Sequence, residues 1–192
     1  MSRKSLSRRF CSSLLKCLGW KSVGEPVPVP KCIILGAPHT SFWDFIISFL
    51  FYTGIGGNAS ILVKKEFFIW PIGGLLRRCG AIPVDRSKGA TLAKQMVEAF
   101  NTHEVMQLAI APEGTRKPTT KWKGGFHTIA KAANIPVYLG YFDWGKKEIG
   151  IAEEFFLSDD LQADLKRLRQ WYKEKRVVGK YPKKFITVTD IE

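Results

Sequence analysis

The stretch that most limits how this chain can fold runs from Lys31 to Phe45, KCIILGAPHTSFWDF. Its apolar run, Cys32 to Ala37, has the length of one strand, and a Pro-His pair ends it. A helix must start almost at once, carrying Asp44. A strand that feeds directly into a helix is half of a β-α unit, and the chain repeats the pattern. Ala59–Val63, Ala81–Val84, Val105–Ala111, Ile135–Tyr141 and Glu148–Ile151 read as strands. Helices are expected from Gly89 to Phe100, from Phe126 to Ala133, and from a cap at Ser158 with Asp159 and Asp160 in the first turn. The expected fold is therefore α/β: a largely parallel central sheet flanked by helices, with a basic amphipathic helix at the N terminus.

In open α/β sheets ligands gather at the carboxyl ends of strands, so the junction after Ala37 is where chemistry is expected. On one continuous helix, His39 and Asp44 would face different ways. The pair makes sense if His39 precedes the helix and Ser41 caps it, leaving Asp44 at N3 of a Ser-x-x-Asp pattern. A first-turn carboxylate points back at the loop. It could accept a hydrogen bond from one ring nitrogen of His39 and leave the other free to take a proton, with the substrate supplying the nucleophile. The blander reading, in which Asp44 only caps and His39 only packs, stays open on these residues alone.

With 192 residues the chain is long enough for one full-sized core. Its net charge of +13 is unevenly spread. Residues 1–24 hold six basic and no acidic side chains, and residues 166–184 hold nine basic ones against Glu174. The body between is nearly neutral. Such ends suit a polyanion: nucleic acid, anionic lipid head groups or an acidic carrier protein. Leu6, Phe10, Leu14 and Leu18 recur every fourth residue, with Arg8, Arg9 and Lys16 elsewhere on the wheel. That is the pattern of a helix lying in a membrane interface, or of one packing its stripe on the body. Lys16 interrupts any signal-peptide core, and no window is long and apolar enough to span. The expected division is a membrane-interface helix at residues 1–24, an extended linker at EPVPVP, and one domain from residue 25 to residue 192. Cys11, Cys17, Cys32 and Cys79 have no zinc spacing, which suggests reduced thiols and no metal. FFIWPIGG, residues 67–74, reads either as core or as a lipid-facing patch.

Other strand ends also deliver polar groups. Ala81–Val84 runs into Asp85-Arg86, and Val105–Ala111 runs into Pro112-Glu113-Gly114-Thr115-Arg116. An arginine at such a place suits a phosphate, which its planar fork meets with two parallel charge-assisted hydrogen bonds. Gly114 would let backbone approach a ligand closely.

These motifs resemble the glycerophospholipid acyltransferase family, which includes 1-acylglycerol-3-phosphate acyltransferase. His39 to Asp44 matches its His-x-x-x-x-Asp motif, and Gly80 to Arg86 its second motif. Pro112 to Arg116 matches Pro-Glu-Gly-Thr-Arg, followed by Trp122-Lys123-Gly124-Gly125 and by Ile135-Pro136-Val137. The resemblance implies acyl transfer from acyl-CoA or acyl carrier protein to a lysophospholipid hydroxyl, with 1-acyl-sn-glycerol 3-phosphate the first-choice acceptor. It implies that His39 is the general base and Asp44 its orienting acid. Arg86, Glu113, Gly114, Thr115, Arg116 and Lys123 would hold or shape the acceptor site. No cofactor, metal or nucleic acid is implied, and a peripheral, monotopic place on the cytoplasmic membrane face is expected. Another lysolipid, such as an acylated amino acid, or hydrolysis of an acyl thioester remains an alternative. A nucleic-acid module lacks a supporting motif.

Overall fold

A computed structural model describes residues 3–78, 80–84 and 89–187. In chain order the elements are α1 (Arg3–Cys17), β1 (Lys21–Val23), β2 (Lys31–Ala37), α2 (Trp43–Ile55), β3 (Ala59–Lys64), α3 (Ile72–Arg78), β4 (Ala81–Val84), α4 (Gly89–Thr102), β5 (Met106–Ile110), α5 (Gly125–Ala133), β6 (Val137–Asp143), β7 (Glu148–Glu154) and α6 (Leu161–Lys175).

The strands form one seven-stranded sheet in the order β1-β7-β6-β2-β5-β3-β4. The five strands from β6 to β4 run parallel. A turn too short for a crossover joins β6 to β7, so β7 runs antiparallel, and β1 then pairs parallel to β7. Lys21–Val23, which the sequence places in the N-terminal segment, thus supplies an edge strand.

β2 sits inside the sheet and is buried on both faces, which explains its unbroken apolar run. Ile33, Leu35 and Ala37 join a core with Met96 and Phe100 of α4, Phe126 and Ile129 of α5, and Leu168 and Tyr172 of α6. Cys32 and Ile34, on the alternate positions, face Cys11 and Leu15 of α1 and Ile47, Leu50 and Phe51 of α2. The result is a three-layer α/β/α sandwich.

α1 divides its apolar residues. Cys11 and Leu15 are buried against α2, Leu15 at 1% exposure. Leu6, Phe10, Leu14 and Leu18 stay outside, Phe10 at 66%. One face of the helix packs on the body, and the periodic stripe is exposed.

The EPVPVP linker is fastened rather than loose. Gln107 on β5 is buried, and its amide donates to the carbonyls of Val27 (3.0 Å) and Val29 (2.8 Å). Its carbonyl accepts from the Tyr52 hydroxyl (2.8 Å) and the Asn58 N–H (3.3 Å). FFIWPIGG breaks into a 3-10 turn and the start of α3, and Phe67, Ile69, Trp70 and Ile72 are exposed.

Two helix starts differ from expectation. The cap of α6 is Asp160, whose carboxylate accepts from the N–H of Gln162 (2.8 Å) and Ala163 (3.1 Å). Ser158 is drawn off to Asp164, to which its N–H and hydroxyl both donate at 2.8 Å. At α2 the capping residue is Phe42, with helical backbone and no side-chain cap bond. Ser41 still accepts from the Trp43 N–H at 3.2 Å, so the turn starts one residue later than the Ser-x-x-Asp pattern implies.

Candidate active site

The strand ends explain which loops meet. β2 and β5 are neighbours and parallel, so the loops after Ala37 and after Ile110 leave the sheet side by side. The Glu113 carboxylate accepts the backbone N–H of His39 at 2.7 Å. That bond joins two motifs 74 residues apart.

His39 Nδ1 lies 3.4 Å from Asp44 Oδ2. The His39 side chain is 26% exposed while that of Asp44 is 1% exposed, so the acid is sealed and the imidazole reaches solvent. The same Oδ2 accepts the N–H groups of Thr40 and Ser41, each at 2.7 Å. The bond from Ser41 is the reciprocal half of a capping box, formed although Ser41 is not the cap. Oδ1 accepts the indole N–H of Trp144 at 2.7 Å. Three N–H donors thus offset the cost of burying this carboxylate.

Glu113 is 4% exposed, and its second oxygen, Oε2, has no hydrogen-bond partner among the described residues. Burial pushes its carboxyl up to about 7, against the His39 N–H bond that favours the anion. Burial thus favours the protonated form of this carboxyl.

Gly114 adopts φ +64°, in the left-handed region, and its N–H bonds the Ala111 carbonyl at 3.0 Å. A Cβ there would sit 2.8 Å from Cγ of Lys123, so the close approach that requires glycine is to the lysine stem. The Lys123 backbone N–H bonds Pro112 O at 2.7 Å, which closes the loop. Thr115 accepts the Lys117 N–H at 3.1 Å. Arg116 is exposed and has no ion pair among the described residues. Arg86 lies outside the described residues. The strand that precedes it, β4, is the edge strand, with β5 and β3 between it and β2. Three strand spacings, about 14 Å, therefore separate β4 from β2.

Sequence reasoning did not single out Trp144. It stands in the turn between β6 and β7, 100 residues from Asp44. The only signal was an Asp-Trp-Gly turn between two apolar runs. Beneath the site Tyr172 is fully buried, and its hydroxyl meets the carbonyls of Gly140 (2.7 Å) and Leu35 (3.1 Å).

A largely parallel sheet whose central strand ends in a His-x-x-x-x-Asp pair, braced by the glutamate of the adjoining loop, is the arrangement that the acyltransferase resemblance leads one to expect. Comparison with known proteins agrees. The family described as Acyltransferase matches residues 21–139, and the chain belongs to that family. A 1-acyl-sn-glycerol-3-phosphate acyltransferase of Streptococcus pneumoniae (strain ATCC BAA-255 / R6) is 31% identical over 106 residues, 54% of this chain and 39% of that protein. The chain thus spans well under half the length of that relative. The crystal structure of the 1-acyl-sn-glycerophosphate (LPA) acyltransferase PlsC from Thermotoga maritima has the same fold. Its TM-score is 0.60 at 18% identity, covering 92% of this chain and 81% of that one.

Proposed function

We propose that the protein transfers a fatty acyl group from acyl-CoA or acyl carrier protein to a lysophospholipid hydroxyl, with 1-acyl-sn-glycerol 3-phosphate as acceptor and phosphatidate as product. The observation that carries this reading is the His39–Asp44 contact at the carboxyl end of β2, with Glu113 bonded to the same loop. The free imidazole nitrogen takes the acceptor's hydroxyl proton. The oxygen attacks the thioester carbonyl, a C–O bond forms, and the C–S bond breaks. The leaving thiolate recovers the proton from the imidazolium, whose charge Asp44 stabilises. Base catalysis of this kind contributes roughly 10²- to 10⁴-fold, and holding two substrates together contributes on the order of 7 to 11 kcal/mol.

Glu113, whose carboxyl burial pushes up to about 7, meets a glycerol oxygen. Arg116, Lys123 and Arg86 meet the phosphate, while Gly114 and Thr115 shape the loop.

The protein works as a peripheral enzyme on an anionic membrane surface. The free stripe of α1 beside its arginines supports this, as do exposed Phe42 and Trp43 at the start of α2. Among the described residues no helix is long and apolar enough to cross a membrane.

The test is a screen of lysolipid acceptors with acyl-CoA and with acyl carrier protein, in wild type and in His39→Ala. Acceptor-dependent thiol release that vanishes in folded His39→Ala is expected. Release that ignores the acceptor would mean thioester hydrolysis, and a fully active variant would remove His39 from the mechanism.

A further inference from the structure

The Asp44 carboxylate is gripped unevenly by its own loop. Thr40 and Ser41 N–H groups and the His39 ring all address Oδ2. The terminal torsion of an aspartate is broad, so contacts to one oxygen leave the carboxylate plane free to turn. What fixes it is the indole N–H of Trp144 on Oδ1, at 2.7 Å. An indole nitrogen is a donor only, so the direction of the bond is unambiguous.

Trp144 is itself held from several sides. Its backbone N–H donates to Val178 O at 2.8 Å. Its ring meets Trp20 edge-on, with centroids 5.0 Å apart and planes at 87°. Lys180 Nζ stands 4.7 Å from its ring centroid and 5.0 Å from that of Trp43. Asp143, next to it, locks the turn by accepting the N–H groups of Gly145 (2.9 Å) and Lys146 (3.1 Å). The segment carrying Val178 and Lys180 also reaches the catalytic loop, since the Tyr181 N–H donates to the Thr40 hydroxyl at 3.2 Å. A Cβ on Gly179 would lie 2.7 Å from the Thr40 methyl, so strap and loop are in contact.

We infer that Trp144 is a positioning residue for the His39–Asp44 pair, and that the segment 177–181 after α6 is the strap that keeps it there. The inference rests on the reading of Asp44 as the acid that orients His39. Trp20, Trp144 and the strap all lie outside residues 21–139, the stretch matched by the family. The shared stretch therefore carries the reacting pair, while its flanks set the plane of the carboxylate. When the indole N–H is lost, Asp44 turns, and the imidazole loses the partner that keeps one nitrogen protonated and the other free.

The experiment uses the full chain and compares Trp144→Phe, Asp44→Asn and the double variant. Turnover is measured with acyl-CoA and 1-acyl-sn-glycerol 3-phosphate. In parallel, the rate at which diethyl pyrocarbonate modifies His39 is read by peptide mass, with exposed His103 as internal reference. Trp144→Phe is expected to lower kcat by roughly 10- to 100-fold with KM unchanged, the scale of a hydrogen bond to a charged group. It should also slow modification of His39 relative to His103, and add no further loss in the Asp44→Asn background. Wild-type kcat in Trp144→Phe, or a full additional loss on top of Asp44→Asn, would overturn the inference. If Trp144→Phe unfolds, benzothienylalanine placed at position 144 keeps the ring shape without the N–H and is read in the same way. If no acceptor is acylated by the wild type, the proposed function falls, and the relative modification rate of His39 alone decides the role of Trp144.

Discussion

Replacing Glu113 with glutamine tests the electrostatics of the site through stability alone. Two effects compete at this carboxyl. The N–H of His39 favours the anion, by about 1.5 to 3 kcal/mol for a bond to a charged group. Burial at 4% exposure, with Oε2 unpartnered, disfavours it more strongly, and the carboxyl rises from 4.5 to about 7. Burial wins. Because the folded value lies above the unfolded one, the native state binds more protons in that interval, and stability must fall as pH rises from 4.5 to about 7. Above the folded value the loss is complete, at on the order of 3 kcal/mol. Glu113→Gln keeps an oxygen for the His39 N–H and removes the titration. Urea unfolding of both proteins from about pH 4 to about pH 9 should therefore give diverging curves, with the variant gaining on the wild type up to about pH 7 and running parallel beyond. Parallel curves throughout would refute the reasoning. So would a wild type that gains on the variant with rising pH, because that would mean an ionised Glu113 is favoured in the folded state.

Two further outcomes test the packing. Phe10→Glu with Leu14→Glu should cut partition onto vesicles containing anionic lipid by at least about tenfold while leaving the melting temperature unchanged, since both side chains lie outside the core; vesicle sedimentation reads the first and a thermal scan the second, and unchanged partition would remove α1 from the lipid contact. Gln107→Leu strands the Tyr52 hydroxyl, the Asn58 N–H and the carbonyls of Val27 and Val29. It should cost about 2 to 4 kcal/mol in urea unfolding, and a loss well below that would mean the linker is not fastened by this side chain.

What could be read from the sequence is what local chemistry dictates. The β2 run, the helical period of α4 and the His-x-x-x-x-Asp junction follow from short-range pattern, and the structure has each of them. The parallel sheet follows from β-α alternation. What could not be read depends on partners distant in the chain. Trp144 looks like any turn aromatic until Asp44 is beside it. Gln107 on β5 looks like a strand-end polar residue until Val27 and Val29 are laid across it. β1 has three residues, all exposed, and pairs only because the β6–β7 hairpin offers an edge. The strand order, with β3 between β5 and β4, is likewise silent in the sequence, and it spaces Arg86's strand away from His39's.

Under the proposed function, the packing of α1 on α2 links the proposed lipid contact to the chemistry. Arg8 donates to the Gly54 carbonyl at the C-terminal end of α2. Trp20, just beyond the C-terminal end of α1, meets Trp144 edge-on, and Trp144 bonds Asp44 in the first turn of α2. α1 therefore runs back along α2, and its free stripe leads from Leu6 toward Leu18 at the catalytic edge. Exposed Phe42 and Trp43 lie at that same edge, one turn from Asp44. A lysolipid whose chain stays among its neighbours would need to present only its head group there. The large cost of taking a fatty chain into water, about 0.8 kcal/mol for each methylene, is then never incurred.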